Sequence, residues 1–83
     1  MSIEKISIRQ IKAARELLGW TQDKLAAASD VSIPTVARLE AEDDGQLGGR
    51  AETREKIRRA LEKAGIEFTN GDGLGVRLRK KRR

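Results

Sequence analysis

Apolar residues recur at three- and four-residue spacing along most of the chain, which is the pattern of amphipathic helices. Capping residues, glycines and a proline punctuate this pattern and set the ends of each segment. The pattern predicts helices at residues 8–18, 22–28, 33–41 and 51–64. Residues 66–79 change to an alternating pattern, which predicts a short β-hairpin or two strands that meet across a larger loop.

The predicted helix starts carry specific capping signals. Ser7 and Gln10 match a capping box at the start of the first helix. Thr21 and Ser32 are placed to cap the second and third helices. The third helix tolerates Pro34 in its first turn, because the early N–H groups of a helix have no acceptor within it.

Glycines and an aspartate occupy the predicted helix ends. Gly19 and Gly65 follow the first and fourth helices, where a left-handed residue is common. Asp30 follows the second helix and tolerates the left-handed region better than most residues. The predicted core contains apolar residues of the first three helices and their connections, namely Leu17, Leu18, Trp20, Leu25, Val31, Val36 and Leu39.

Residues 42–49 are acidic and rich in glycine, which predicts a loop. They lack the apolar spacing of an additional helix. We therefore expect a mainly α domain of four helices, with a fifth left open, that ends in a short β-hairpin or strand. On the exposed side of the fourth helix, Glu55 with Arg59 and Arg58 with Glu62 are spaced as i,i+4 ion pairs.

Composition narrows the class of protein. Eighty-three residues make one domain. The chain has no cysteine, which removes disulfides and thiolate metal sites, and no histidine, which removes the usual general base and the most common metal ligand. We expect no enzyme activity, no cofactor and no metal. The sequence has no apolar run long enough to span a membrane and no N-terminal signal pattern, so we expect a cytoplasmic protein.

The net charge of +5 comes from the C-terminus. Residues 1–76 hold 12 basic and 13 acidic residues, and six cations follow them. A case for binding nucleic acid must therefore depend on where the charges lie. The basic tail, residues 80–83, is either a solvated end or an arm that follows a DNA backbone.

Two short helices at 22–28 and 33–41, joined by a turn of three to four residues, have the spacing of a helix-turn-helix. This motif presents its second helix to the DNA major groove. The segments LGWTQDKLA and VSIPTVARLE, within residues 7–41, resemble the phage-repressor-like (XRE/Cro-type) family. The end of the chain, ALEKAGIEF followed by GVRL, is similar to short bacterial members that finish in a small β-element.

The resemblance implies a lambda-repressor-like fold and a transcriptional regulator that binds a specific double-stranded DNA sequence, more often a repressor than an activator. It implies that Gln22 contacts a phosphate and that Arg38 reads a base, because a guanidinium can bond two acceptors of guanine. The DNA-contacting positions that it implies are Thr21, Gln22, Ser32, Ile33, Pro34, Thr35 and Arg38.

Three further positions follow from the resemblance. Arg15 and Glu40 match an internal ion pair between the first and third helices. Asp30 stands where the family usually has glycine, and this places a carboxylate near the DNA side.

The sequence divides into a DNA-binding domain at 1–65, with the helix-turn-helix at 21–41, a β-element at 66–79 and the tail. The β-element either packs on the fourth helix or pairs with a second subunit. A two-fold homodimer would select a pseudopalindromic site. The alternative function is an antitoxin-type module that binds a toxin and its own promoter.

Overall fold

The computed structural model describes residues 6–41, 51–69 and 75–79. These residues form four helices and a two-stranded antiparallel sheet, which confirms the mainly helical fold with a terminal β-hairpin. The bounds differ from the predicted ones by one residue at most in the helices. The elements are α1 (Ile8–Leu18), α2 (Gln22–Ser29), α3 (Ile33–Ala41), α4 (Ala51–Lys63), β1 (Ile66–Thr69) and β2 (Gly75–Leu78).

Local capping sets the ends of α1 and α2, as predicted. The Ser7 hydroxyl accepts a hydrogen bond from the Gln10 N–H at 3.1 Å, and the Gln10 side chain accepts one from the Ser7 N–H at 2.9 Å. Thr21 caps α2 by accepting from the Lys24 N–H at 3.1 Å. Gly19 ends α1 in the left-handed region, with φ of 70°.

The core lies where the inner faces of the four helices meet the hairpin. Its buried apolar residues include Ile6 before α1, and the others come from α1, α2, α3, α4 and β1: Ile8, Ile11, Ala14, Leu25, Ala26, Val36, Leu39, Ile57, Leu61, Ile66 and Phe68. Leu18, Trp20 and Val31 are partly buried and pack against this core, in line with their predicted role.

The prediction that Leu17 belongs to the core is wrong. Its side chain is 47% exposed. The helical period explains the difference, because Leu17 comes nine residues after Ile8 and so lies about 180° around α1 from it. The inner face of α1 is occupied by Ile8, Ile11 and Ala14, and this leaves Leu17 on the outer face.

The hairpin completes the core on one of its faces. Its register pairs Ile66 with Leu78 and Phe68 with Val76. β1 lies against α4 and β2 lies against α1. The β1 residues Ile66 and Phe68 are buried, whereas Val76 is partly buried and Leu78 is 40% exposed. The apolar face of the sheet is therefore covered at β1 and only incompletely covered at β2.

Three of the sequence predictions concern residues outside the described ones. These are the acidic loop at 42–49, where a fifth helix is the alternative, the connection between the two strands at 70–74, and the basic tail at 80–83.

The Gln10 side chain joins α1 to the end of the hairpin where β1 stops and β2 begins. Its Nε2 donates to the Thr69 carbonyl at 3.1 Å and to the Gly75 carbonyl at 2.9 Å. The same side chain also caps α1 through its oxygen. Gln10 is 3% exposed, so each of these three bonds replaces one that water would otherwise make. The amide therefore holds the two strand ends at the start of α1.

We expect Gln10→Glu to lower the free energy of unfolding by about 2–4 kcal/mol, because a carboxylate at this position would oppose two carbonyl oxygens in a buried place. Urea unfolding followed by circular dichroism measures the change. The matched control is Gln10→Met, which removes the bonds without adding the repulsion and should be less destabilising. Equal stability of the two variants would contradict the proposed contact with the strand ends.

Candidate nucleic-acid interface

The connection between α2 and α3 consists of residues 30–32 and is fixed by a left-handed aspartate. Asp30 has φ of 60°, as the sequence predicted for the residue that follows α2. The Val31 N–H then donates to the Ala26 carbonyl at 3.0 Å, which turns the chain back over the end of α2. The side chain of Val31 packs against the core. The two helices are thereby joined in the short turn that defines a helix-turn-helix.

The two sides of α3 have different surroundings. One side is buried and carries Val36, Leu39 and Glu40. Arg38 is exposed on the opposite side, and Ile33, the first residue of α3, keeps 46% exposure. Among the residues predicted to contact DNA from this region, Ser32, Ile33, Pro34 and Arg38 are exposed, and Thr35 is partly buried.

The two hydroxyls at the start of α3 are bonded to each other. Ser32 Oγ and Thr35 Oγ1 lie 2.7 Å apart, and the Thr35 N–H also donates to Ser32 Oγ at 3.3 Å. This confirms Ser32 as the cap of α3. Only one of the two O–H groups is used by the hydroxyl pair, so the other can still donate to a ligand.

Arg38 extends from the middle of the exposed side of α3. No carboxylate within residues 6–41, 51–69 and 75–79 forms an ion pair with it. The planar guanidinium of Arg38 has five N–H donors. Its edge can donate two parallel hydrogen bonds to two neighbouring acceptors.

Arg15 and Glu40 form the ion pair that the resemblance implied. Arg15 Nε donates to Glu40 Oε2 at 2.9 Å, and Nη2 donates to Oε1 at 2.8 Å. The side chains are 15% and 3% exposed. Arg15 Nη1 also donates to the Trp20 carbonyl at 3.0 Å, so one guanidinium connects α1, its following loop and α3. The hydrogen bonds to Glu40 raise the pKa of Arg15, although its burial acts in the opposite direction.

Gln22, predicted to bond a phosphate, has a contact that the sequence did not predict. Its Nε2 donates to Glu40 Oε1 at 3.0 Å, so the first residue of α2 is connected to the buried ion pair. The two residues are 18 positions apart, and no local spacing rule relates them. A prediction of the contact between Gln22 and Glu40 would have needed two pieces of information together, namely the Arg15–Glu40 pair of the family and the short turn.

The N-terminus of α2 carries further polar groups beside Gln22. Thr21 is exposed, and its oxygen is engaged as the cap. Lys24 is exposed one turn on, and its Nζ lies 5.8 Å from the centre of the Trp20 ring. Sequence reasoning did not select Lys24, although its position in the first turn of α2 is a usable signal. The backbone N–H groups and dipole at this end favour an anion such as phosphate.

Other kinds of site find little support in the described parts of the chain. Within them, no three acidic side chains converge to hold a metal ion. No helix among the same residues is long and apolar enough to cross a membrane. The arrangement at α2 and α3 instead includes neutral polar groups, the two cations Lys24 and Arg38, and apolar groups, which suits the edges of bases and the phosphates beside them.

Comparison with known proteins agrees with this geometry. Residues 11–45 match a family model described as helix-turn-helix, and this range includes all of α2, the turn and α3. The sequence matches no curated protein. The matched range contains the fixed turn and the exposed side of α3. This match over residues 11–45 supports the resemblance to the XRE/Cro-type helix-turn-helix family of DNA-binding transcriptional regulators.

Proposed function

We propose that this regulator is a repressor that binds a specific double-stranded DNA sequence as a homodimer and reads the major groove with α3. The observation that carries the proposal is the exposed side of α3. A helix that buries Val36, Leu39 and Glu40 while it exposes an arginine and several small side chains has a surface that fits a groove.

The chemistry of that surface assigns a role to each side chain. Arg38 bonds O6 and N7 of a guanine, the most common specific contact of an arginine in the major groove. Ile33 and Pro34 offer only apolar contact, which suits a thymine methyl group. The Ser32 and Thr35 hydroxyls donate or accept at a base edge or a phosphate.

Phosphate contacts at the start of α2 set the orientation of α3. Gln22 and Thr21 lie at that N-terminus, where the helix dipole adds to the attraction of an anion. Such contacts carry no sequence information, but they fix the position from which Arg38 reaches the bases. In this proposal α2 contacts the DNA backbone and α3 contacts the bases.

A homodimer is supported by the incompletely covered face of the hairpin. The sheet has two strands among the described residues, and the edge of a small sheet favours pairing with another chain. Leu78 lies on β2 with 40% exposure. Two-fold pairing would place two α3 helices about 34 Å apart, one turn of DNA. A dimer bound to such a site excludes other proteins from it, which is the basis for a repressor role.

Binding of Arg38 variants to DNA tests the reading of bases by α3. Duplexes selected from a randomised pool serve as the ligand, and fluorescence anisotropy gives the affinity. We expect Arg38→Ala to weaken binding by about 1–3 kcal/mol and to relax the preference at one position in each half-site. Arg38→Lys, which keeps the charge without the planar fork, should relax the same position.

The matched control for charge is Arg59→Ala on α4, whose side chain is 76% exposed and pairs with Glu55. It should leave the preferred sequence unchanged. If Arg38→Ala and Arg59→Ala have the same effect on every duplex, α3 does not read bases. Equal, salt-sensitive binding of all sequences by the wild type would favour a protein partner instead.

Oligomeric mass tests the role of the hairpin. We expect Leu78→Lys to shift the chain from dimer towards monomer in sedimentation equilibrium, because a charge on an edge strand opposes pairing. The fold should persist, since the side chain is 40% exposed. The control is Leu17→Lys, a similarly exposed leucine on α1. A monomeric wild type, or an unchanged dimer in the Leu78 variant, would contradict pairing through β2.

Deletion of residues 80–83 tests whether the basic tail follows the DNA backbone. The deletion removes four cations. If these cations bind phosphates, the slope of log affinity against log salt should fall by about 0.9 for each phosphate that is no longer neutralised, with the preferred sequence unchanged. An unchanged slope would mean that the tail is solvated in the complex.

A further inference from the structure

Glu40 accepts hydrogen bonds from two different helices through a single oxygen. Its Oε1 receives Arg15 Nη2 from α1 at 2.8 Å and Gln22 Nε2 from α2 at 3.0 Å. Its Oε2 receives Arg15 Nε at 2.9 Å. The pair with Arg15 accounts for the burial of the carboxylate. It does not account for the third bond, which reaches the residue proposed to contact DNA.

The bond to Glu40 fixes which way the Gln22 amide faces. A carboxylate only accepts hydrogen bonds, so the Nε2 end of the amide must point to Glu40. An amide nitrogen carries two hydrogens, and Glu40 uses one of them. Gln22 therefore keeps one N–H donor in a defined orientation at the N-terminus of α2.

The charge on Glu40 would ordinarily oppose a phosphate nearby. Arg15 bonds both of its oxygens, so the network of Arg15, Glu40 and Gln22 has no net charge. A carboxylate can then orient a phosphate-binding amide without repelling the phosphate. A side chain that is already held before DNA arrives also loses less conformational freedom on binding.

We propose that Glu40 is a positioning residue for DNA binding: it holds the Gln22 amide in the orientation that bonds a phosphate, and Arg15 neutralises its charge. The inference rests on the proposed phosphate contact of Gln22 and adds the group that directs it. Glu40 itself does not touch DNA. Its contribution to affinity passes through Gln22 and disappears when Gln22 is removed.

A double-mutant cycle tests this dependence. The first change is Arg15→Met together with Glu40→Met, which removes both charges, leaves the net charge unaltered and fills the space with apolar groups, a replacement that proteins often tolerate. The second change is Gln22→Ala. The probe is a labelled duplex of random sequence and about two helical turns, because phosphate contacts do not depend on sequence.

We expect the paired methionine change to weaken binding about three- to fivefold when Gln22 is present and to have almost no effect in the Gln22→Ala background. The salt slope should stay the same, since a neutral amide displaces no counterion. Thermal unfolding confirms that all four proteins are folded at the temperature of the binding measurement.

Three results would overturn the inference. Equal losses in both backgrounds would mean that the pair acts on DNA without Gln22, and a reduced salt slope would point to Arg15 itself. No loss in either background would mean that the pair is only structural. Failure of the wild type to bind any duplex would overturn the proposed DNA contact and this inference with it, whereas the other outcomes leave the proposed function standing.

A measurement on the unaltered chain remains informative if the methionine variant does not fold. In a ¹⁵N-labelled wild type, the Gln22 side-chain N–H bonded to Glu40 should exchange slowly with water, and the other N–H should become protected when the duplex is added. Both protons should be protected in the complex. Loss of protection of the first proton on binding would show that Gln22 leaves Glu40 to reach DNA, and this would contradict the proposal.

Discussion

A carboxylate can be buried on the inner side of α3 only if another group neutralises it, and Arg15 of α1 does so for Glu40. The pair bonds both oxygens through Nε and Nη2, while Nη1 is held by the Trp20 carbonyl, and this arrangement fixes the rotation of α3 about its axis relative to α1. The exposed side of α3 follows from it. If α3 turned by one residue position, about 100°, the carboxylate would leave its partner and Arg38 would point elsewhere.

Apolar packing alone would fix this rotation less strictly. Val36 and Leu39 are the buried apolar residues of α3, and apolar contacts tolerate small rotations because they have no direction. Buried ion pairs often contribute little net stability compared with apolar replacements of similar size. In this chain the ion pair fixes the orientation of α3, and the apolar core contributes most of the favourable free energy of folding. Because the core is small, the hairpin residues Ile66 and Phe68 are needed to complete it.

Local features of the fold were predictable from the sequence, and long-range polar contacts were not. Capping by Ser7, Thr21 and Ser32 depends on neighbours three residues away, so the pattern shows it directly. The Arg15–Glu40 pair was predictable only through the resemblance to a family. The contacts of Gln10 with the hairpin and of Gln22 with Glu40 were not predicted, because an amide side chain has no periodic signal and its partners are distant in sequence. Leu17 was misassigned because apolarity was counted without its phase on α1.

The single tryptophan has a place in this network that gives it a spectroscopic use. Trp20 is the only tryptophan, and the chain has no tyrosine, so its near-ultraviolet emission comes from one indole. That residue offers its carbonyl to Arg15 and its ring to Lys24, immediately before α2 begins. Its emission therefore reports on the N-terminus of α2 and on the ion pair together. The protein carries an intrinsic optical probe at the connection between α1 and α2, with no label required.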